Sequence, residues 1–244
     1  KPLVKHCSGK VSFVYKSADL NANFCLEELI KIIVEAIPKY SRKIGLDLSK
    51  EKFPRPELIA IGASTGGPDA INTLTRSLSC EMPPILIVLH MKANLMGVFC
   101  KRLQSLTHLK VIELKSSTEI EANSIFIASG DNHMIVKKKG TLFFAELGEK
   151  TKVNGHCPSV DILFNSISEI RDLNRMGILL TGMGVDGAIG LLNLRKSGAV
   201  TVAQDRRSAA VYGMPKAAVD LGAANYTLSL DELARLLRSF SMPE

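Results

Sequence analysis

Leu58-Ile59-Ala60-Ile61-Gly62-Ala63-Ser64-Thr65-Gly66-Gly67-Pro68 is the stretch that sets the fold. Leu58 to Ile61 is an unbroken apolar run, as expected of a short strand buried on both faces. Pro68 fits the first turn of a helix, where its missing N–H removes no hydrogen bond. Between them, Gly62-Ala63-Ser64-Thr65-Gly66 has the form G-x-S-x-G, whose glycines allow a sharp turn that exposes the serine hydroxyl. The alternative is a plain glycine-rich turn; the strand before it and the helix after it favour the nucleophile reading.

Strands and helices alternate on from this unit. Helix 68–78 is followed by Ile85–Leu89, a second wholly apolar strand, and by a helix to about Leu106 that Asn94 could cap. Val111–Leu114 and Ser124–Ala128 read as strands. His133–Val136 and Thr141–Ala145 flank Lys137-Lys138-Lys139-Gly140 as a β-hairpin with a solvated basic tip. Ser159 could cap a helix over 160–170. A strand at 177–180, a helix at 188–196, a strand at 199–203, a short helix at 215–221, a strand at 226–228 and a closing helix at 230–240 complete the pattern. The expectation is an α/β, doubly wound, mostly parallel sheet with helices on both faces and an edge β-hairpin. Upstream, Leu26, Leu29, Ile30, Ile33, Val34 and Ile37 form one helical face that Pro38 ends. The polar stretch 39–56 reads as a linker, so the main domain is expected at residues 57–244.

The chain has 244 residues and 46% hydrophobic residues, enough for a sizeable core. Its net charge is +7, and residues 1–50 carry nine basic against five acidic groups, more than half of the excess. That permits acidic partners, but no basic stripe interleaves with aromatics, so nucleic acid is not expected. Five cysteines without a CxxC spacing suit a reducing compartment. His6-Cys7 and His156-Cys157 lack further ligands at metal spacing and read as incidental. No apolar run approaches the roughly 20 residues of a membrane span.

In a parallel sheet the C-terminal strand ends share one edge, where ligands bind. His90 closes the strand Ile85–Leu89 and could reach Ser64 there as a general base. His133 and His156 are rivals, and a structural histidine is the commoner fate of any one of them. Thr181-Gly182-Met183-Gly184-Val185-Asp186-Gly187 follows another strand and supplies Asp186. Ser, His and Asp are the parts of a hydrolase triad, with the aspartate fixing the imidazole tautomer. The order Ser…His…Asp differs from the Ser…Asp…His of α/β-hydrolases. Gly182–Gly187 also matches G-x-G-x-x-G, with Asp205 some twenty residues on, which is a dinucleotide-binding fingerprint. Asp186 inside the loop would repel a pyrophosphate and weighs against it. A third reading is a helix N-terminal aspartate favoured by the dipole.

Together, Ile61–Pro68, Leu89-His90-Met91, Ala128–Met134, Pro158–Phe164, Leu180–Ala188, Ala203-Gln204-Asp205 and Tyr212–Lys216 resemble the catalytic domain of the CheB family of chemotaxis protein-glutamate methylesterases. The resemblance runs from about Leu58 to Leu237. It implies that Ser64, His90 and Asp186 are the catalytic triad and that the N–H groups of Thr65 and Met183 form the oxyanion hole. It implies a cytoplasmic enzyme without cofactor or metal. Its substrates would be methyl esters of glutamate side chains on chemoreceptor cytoplasmic domains, and some members also deamidate receptor glutamines. Val11–Lys16 and the helix after it resemble the end of a receiver domain, so residues 1–56 are expected to be a receiver remnant and linker. A chemotaxis histidine kinase would then be a partner through the receiver region. Cys157 and Arg206 depart from the family, which commonly has Arg and an acidic residue there. The competing functions are a dinucleotide-binding domain and a catalytically inactive receptor-binding domain.

Overall fold

The computed structural model describes residues 53–241 apart from Ser77 and Cys80, and the backbone of three short strands, Lys5–Cys7, Lys10–Ser12 and Lys43–Ile44. The chain divides into two compact units, Lys1–Ser41 and Arg42–Glu244. In the first, Lys5–Cys7 pairs antiparallel with Lys10–Ser12. The helix expected over 24–37 lies outside the described residues, as does the rest of the strand expected over 11–16.

The second unit contains β1 (Leu58–Ala63), α1 (Gly67–Thr75), β2 (Ile85–Leu89), α2 (Ala93–Gln104), β3 (Lys110–Leu114), β4 (Thr118–Glu119), β5 (Ser124–Ala128), β6 (Met134–Lys139), β7 (Leu142–Leu147), α3 (Val160–Ser168), β8 (Arg175–Leu179), α4 (Ala188–Lys196), β9 (Val200–Gln204), α5 (Met214–Asp220), β10 (Tyr226–Leu228) and α6 (Leu230–Ser239). The main sheet runs Lys43–Ile44, β10, β9, β8, β1, β2, β5, β3, and every pair is parallel. Successive strands leave β1 in one direction through β2 and return on its other side as β8. The reversal between β1 and β8 is the switch point at which an open α/β sheet forms its crevice.

Every residue of β1, β2, β5 and β8 is buried, which explains the continuous apolar character of β1 and β2 and of β5 and β8 after their first residues. Alternation divides them between two cores. Ile59, Ile61, Ile85 and Ile87 meet Ile71 and Leu74 of α1 and Leu233 and Leu237 of α6. Leu58, Ala60, Leu86 and Val88 meet Val160 and Phe164 of α3 and Leu191 of α4. Each such side chain contributes roughly 1.5–3 kcal/mol relative to exposure.

The basic hairpin forms as β6 and β7, but it pairs with β4 in its own three-stranded antiparallel sheet. Its lysines are not free: Lys139 Nζ lies 2.6 Å from Glu146 Oε1, and Lys138 pairs with Asp172. The segment read as a linker touches this unit: Lys43–Ile44 pairs with β10, the Phe53 ring packs edge-on against Tyr226 at 5.0 Å, and Arg55 Nε donates to Phe240 O at 3.1 Å. A strand of two residues leaves little mark in composition. Helix α2 is capped at Lys92, which puts Asn94 inside its first turn.

Candidate functional site

The turns after β1, β2 and β8 meet at the C-terminal edge of the sheet. Register brings them together: Ala63 pairs with Leu89, and Gly62 with Leu179. One residue further on, the Ser64 N–H donates to Thr181 O at 2.9 Å and the His90 N–H donates to Ala63 O at 3.0 Å. Ser64, His90 and the 181–187 loop are thereby zipped together by backbone bonds alone.

Glycine permits the closeness. Gly66 sits at φ +80°, a conformation that other residues rarely adopt, and ends the turn against Thr181 and Ala210. A Cβ on Gly182 would lie 2.7 Å from the Cβ of Ser64 and would collide with the Met214 sulfur. Thr181 is the tie between loops. Its hydroxyl donates to Thr65 O at 2.9 Å and accepts from the Val211 N–H at 2.9 Å, and its own N–H donates to Gln204 Oε1 at 2.8 Å. Among the described residues, the N–H groups of Thr65 and Met183 donate to no protein acceptor. The Met183 side chain is 74% exposed, with Val185 and Ile189 as further exposed apolar residues beyond it.

His90 Nε2 lies 2.8 Å from Asp186 Oδ2, and its Nδ1 is buried without a hydrogen-bond partner. The pairing fixes the tautomer: Nε2 carries the proton toward the carboxylate, and Nδ1 presents a lone pair. Asp186 is 1% exposed and caps helix α3 from outside. Its Oδ1 accepts from Ser159 Oγ at 2.7 Å, and its Oδ2 accepts from the Val160 N–H at 2.7 Å. Burial by itself raises the Asp186 pKa. The hydrogen bonds from His90, Ser159 and Val160 outweigh it and hold the carboxyl well below the usual range. The positive end of α3 acts in the same direction.

Ser159 thus stands at the N-cap position, as expected, but its hydroxyl serves Asp186 instead of its own helix. Asp161, in the first turn of α3, accepts from the Gly190 N–H at 2.6 Å and from Asn154 Nδ2 at 2.7 Å. Burial raises its pKa, and the neighbouring Asp186 adds to the rise. His133 is the satisfied structural histidine: Nε2 donates to Thr151 O at 2.7 Å and Nδ1 accepts from the Ser159 N–H at 3.0 Å.

His156, the other rival, lies beside His90. Its ring stacks on that of His90, with centroids 3.7 Å apart and planes 4° from parallel. Cys157 Sγ, next to it, lies 3.4 Å from Asp131 O, and burial pushes its thiol pKa up. The tasks that Asn154, Ser159 and Thr181 perform at this site escaped the sequence reading. Asn154-Gly155 was legible as a two-residue turn, but nothing local says that this turn faces His90.

The dinucleotide reading fails on the same geometry. Asp186 is committed to His90 and α3, and Asp205 accepts from the Ser208 N–H and hydroxyl at 2.9 and 2.6 Å within its own loop. Among the described residues, no helix is long and apolar enough to cross a membrane.

Residues 59–237 match the family model described as CheB methylesterase. A protein-glutamate methylesterase/protein-glutamine glutaminase of Vibrio vulnificus is 44% identical over 182 residues, covering 74% of this chain and 53% of that protein. One from Syntrophomonas wolfei is 37% identical over 239 residues, covering 94% of this chain and 70% of that protein. The chain spans about half the length of most such relatives, for example 53% and 51% of two of them. The crystal structure of the Thermotoga maritima CheB methylesterase catalytic domain superposes with a TM-score of 0.72 at 30% identity, covering 77% of this chain and 99% of that one.

Proposed function

The chain belongs to the CheB methylesterase family, and we propose on that footing that it is a serine hydrolase that removes methyl esters from glutamate side chains of chemoreceptors. The observation that carries the reading is the His90 ring: Nε2 on a buried carboxylate, Nδ1 unpartnered, beside the turn that exposes Ser64.

Ser64 Oγ attacks the ester carbonyl while His90 Nδ1 takes its proton. Nδ1 is the base because Nε2 is committed to Asp186. The Thr65 and Met183 N–H groups receive the tetrahedral oxyanion, where one well-placed donor is worth about 10²–10³ in rate. Asp186 stabilises the imidazolium and keeps its tautomer. Methanol leaves with the proton from His90. Water gives one proton to Nδ1 as it attacks the acyl-serine; His90 returns that proton to Ser64 Oγ as the acyl bond breaks, and the released glutamic acid loses its proton to solvent. The same sequence with ammonia as leaving group deamidates a glutamine, an activity that the names of the relatives carry.

The partners proposed are methylated chemoreceptor cytoplasmic domains in the cytoplasm. Residues 1–56 are proposed as a receiver remnant and linker, supported by the 94% of this chain that aligns with the Syntrophomonas wolfei protein. A chemotaxis histidine kinase is proposed as a partner through that receiver region.

The test is methanol release from methylated receptor membranes, wild type beside Ser64→Ala. Release by wild type and its loss, by a factor of about 10⁴ or more, in a folded Ser64→Ala support the enzyme. Release by both overturns Ser64 as nucleophile. Release by neither favours receptor binding without hydrolysis.

A further inference from the structure

The turn Val153-Asn154-Gly155-His156 reaches both Asp186 and His90, and the mechanism above leaves it without a task. Val153 and His156 exchange both backbone hydrogen bonds, each at 2.9 Å, and Asn154 and Gly155 have φ of 53° and 80°. This is a two-residue hairpin of the kind Asn-Gly favours. From its tip, Asn154 Nδ2 donates to Asp161 Oδ2 at 2.7 Å and reaches Asp186 Oδ1 at 3.3 Å. From its base, the His156 ring lies flat on His90. His133 grips the segment on both sides, at Thr151 O and at the Ser159 N–H.

The His90 ring needs such a support. A hydrogen bond at Nε2 fixes one corner of the imidazole, but the torsion that turns the ring plane is broad and roughly two-fold. The Nδ1 lone pair swings with that plane. A parallel ring 3.7 Å away removes the swing, because any tilt drives one edge of His90 into its neighbour. We propose that His156 is a positioning residue for the hydrolysis, holding the plane of His90 so that Nδ1 faces Ser64 while Nε2 stays on Asp186. The proposal rests on the esterase reading of this site.

Electrostatics agree with the role. A His90 imidazolium formed during reaction lies over an aromatic face, which attracts a cation when that face is neutral. Burial lowers the His156 pKa, His90 and Lys152 lower it further, and Asp186 opposes them, a balance that favours the uncharged ring.

The test compares His156→Ala and His156→Phe with wild type. Steady-state methanol release supplies kcat and KM. The ¹⁵N signals of the His90 ring, read in a Ser64→Ala background, supply its tautomer without any need for turnover. His156→Ala is expected to lower kcat by about 10- to 100-fold, the scale of a misplaced catalytic group, with KM changed less than about twofold. His156→Phe restores most of kcat, because a flat ring is what the site requires. The His90 spectrum shows a single Nε2–H tautomer in wild type and His156→Phe, and mixed or averaged tautomers in His156→Ala. Unchanged kcat and an unchanged His90 spectrum in His156→Ala overturn the proposal. So does a His156→Phe that folds but stays as slow as the alanine variant. If wild type releases no methanol, the esterase reading fails instead, and the ring spectra decide the positioning alone.

Discussion

Asp186→Asn removes a charge while keeping the shape, and the five hydrogen bonds the carboxylate accepts, three of them short, set its cost. Oδ2 accepts from His90 Nε2 at 2.8 Å and Val160 N–H at 2.7 Å, and Oδ1 accepts from Ser159 Oγ at 2.7 Å. With the new amide NH₂ in place of Oδ2, two N–H groups face a donor. His90 must then move its proton to Nδ1, where it can no longer accept from Ser64. With the NH₂ in place of Oδ1, the Ser159 hydroxyl can turn round and accept and the His90 tautomer survives, and only the two longer bonds, from Asn154 Nδ2 and the Asp161 N–H at 3.3 Å each, are lost. This orientation is the less costly one, but the imidazolium loses its counter-charge. Losing the aspartate of a Ser-His-Asp triad in this way lowers kcat by a factor of about 10⁴, or roughly 5.4 kcal/mol of barrier. The more tolerant orientation makes about 10³ the lower bound expected here. KM should change little, because Asp186 is 1% exposed and lies behind His90. Methanol release over a range of receptor concentrations gives kcat and KM, and near-ultraviolet circular dichroism checks the fold. A folded Asp186→Asn with kcat within tenfold of wild type would refute the assigned role.

The same pair of proteins reports on acid stability. The Asp186 pKa in the folded state lies below that of an unfolded aspartate, about 3.9, so the ionised group's contribution is fully present above that value. It drains away as pH falls toward the folded-state pKa. The urea unfolding free energy of wild type minus Asp186→Asn should hold level between about pH 6 and 8 and shrink below about pH 4; a difference that persists unchanged to pH 3 contradicts this. Gly182→Ala places a Cβ against the Met214 sulfur and 2.7 Å from Ser64 Cβ. Overpacking of this kind costs about 1–3 kcal/mol, and the shift of the Ser64 turn should lower kcat as well, so wild-type urea stability together with wild-type kcat would show that the approach is not tight.

Much of the fold was legible locally. Ile85–Leu89 is uniformly apolar, and Ser124–Ala128 apolar after its first residue, because both faces of those strands are covered, and Pro68 marks a helix start by its own backbone chemistry. The three catalytic candidates could be named from the sequence because each lies in a turn that follows a strand, and parallel strands end on one edge. Asn94 misled, since a capping residue type also occurs inside a first turn. Lys43–Ile44 was missed because a strand of two residues leaves little mark in composition.

Sequence alone determined the strand–helix alternation, the shared edge and the residue types brought to it, since these depend on periodicity and on backbone preferences acting over a few residues. Tertiary structure alone decided which ring nitrogen faces Asp186, that Ser159 gives its hydroxyl to that carboxylate, and that His133 is structural while His156 lies on His90. Those contacts join groups far apart in the chain, from 26 residues between His133 and Ser159 to 96 between His90 and Asp186. They are settled by packing and by the need to pair every buried polar group, conditions that no stretch of sequence expresses by itself.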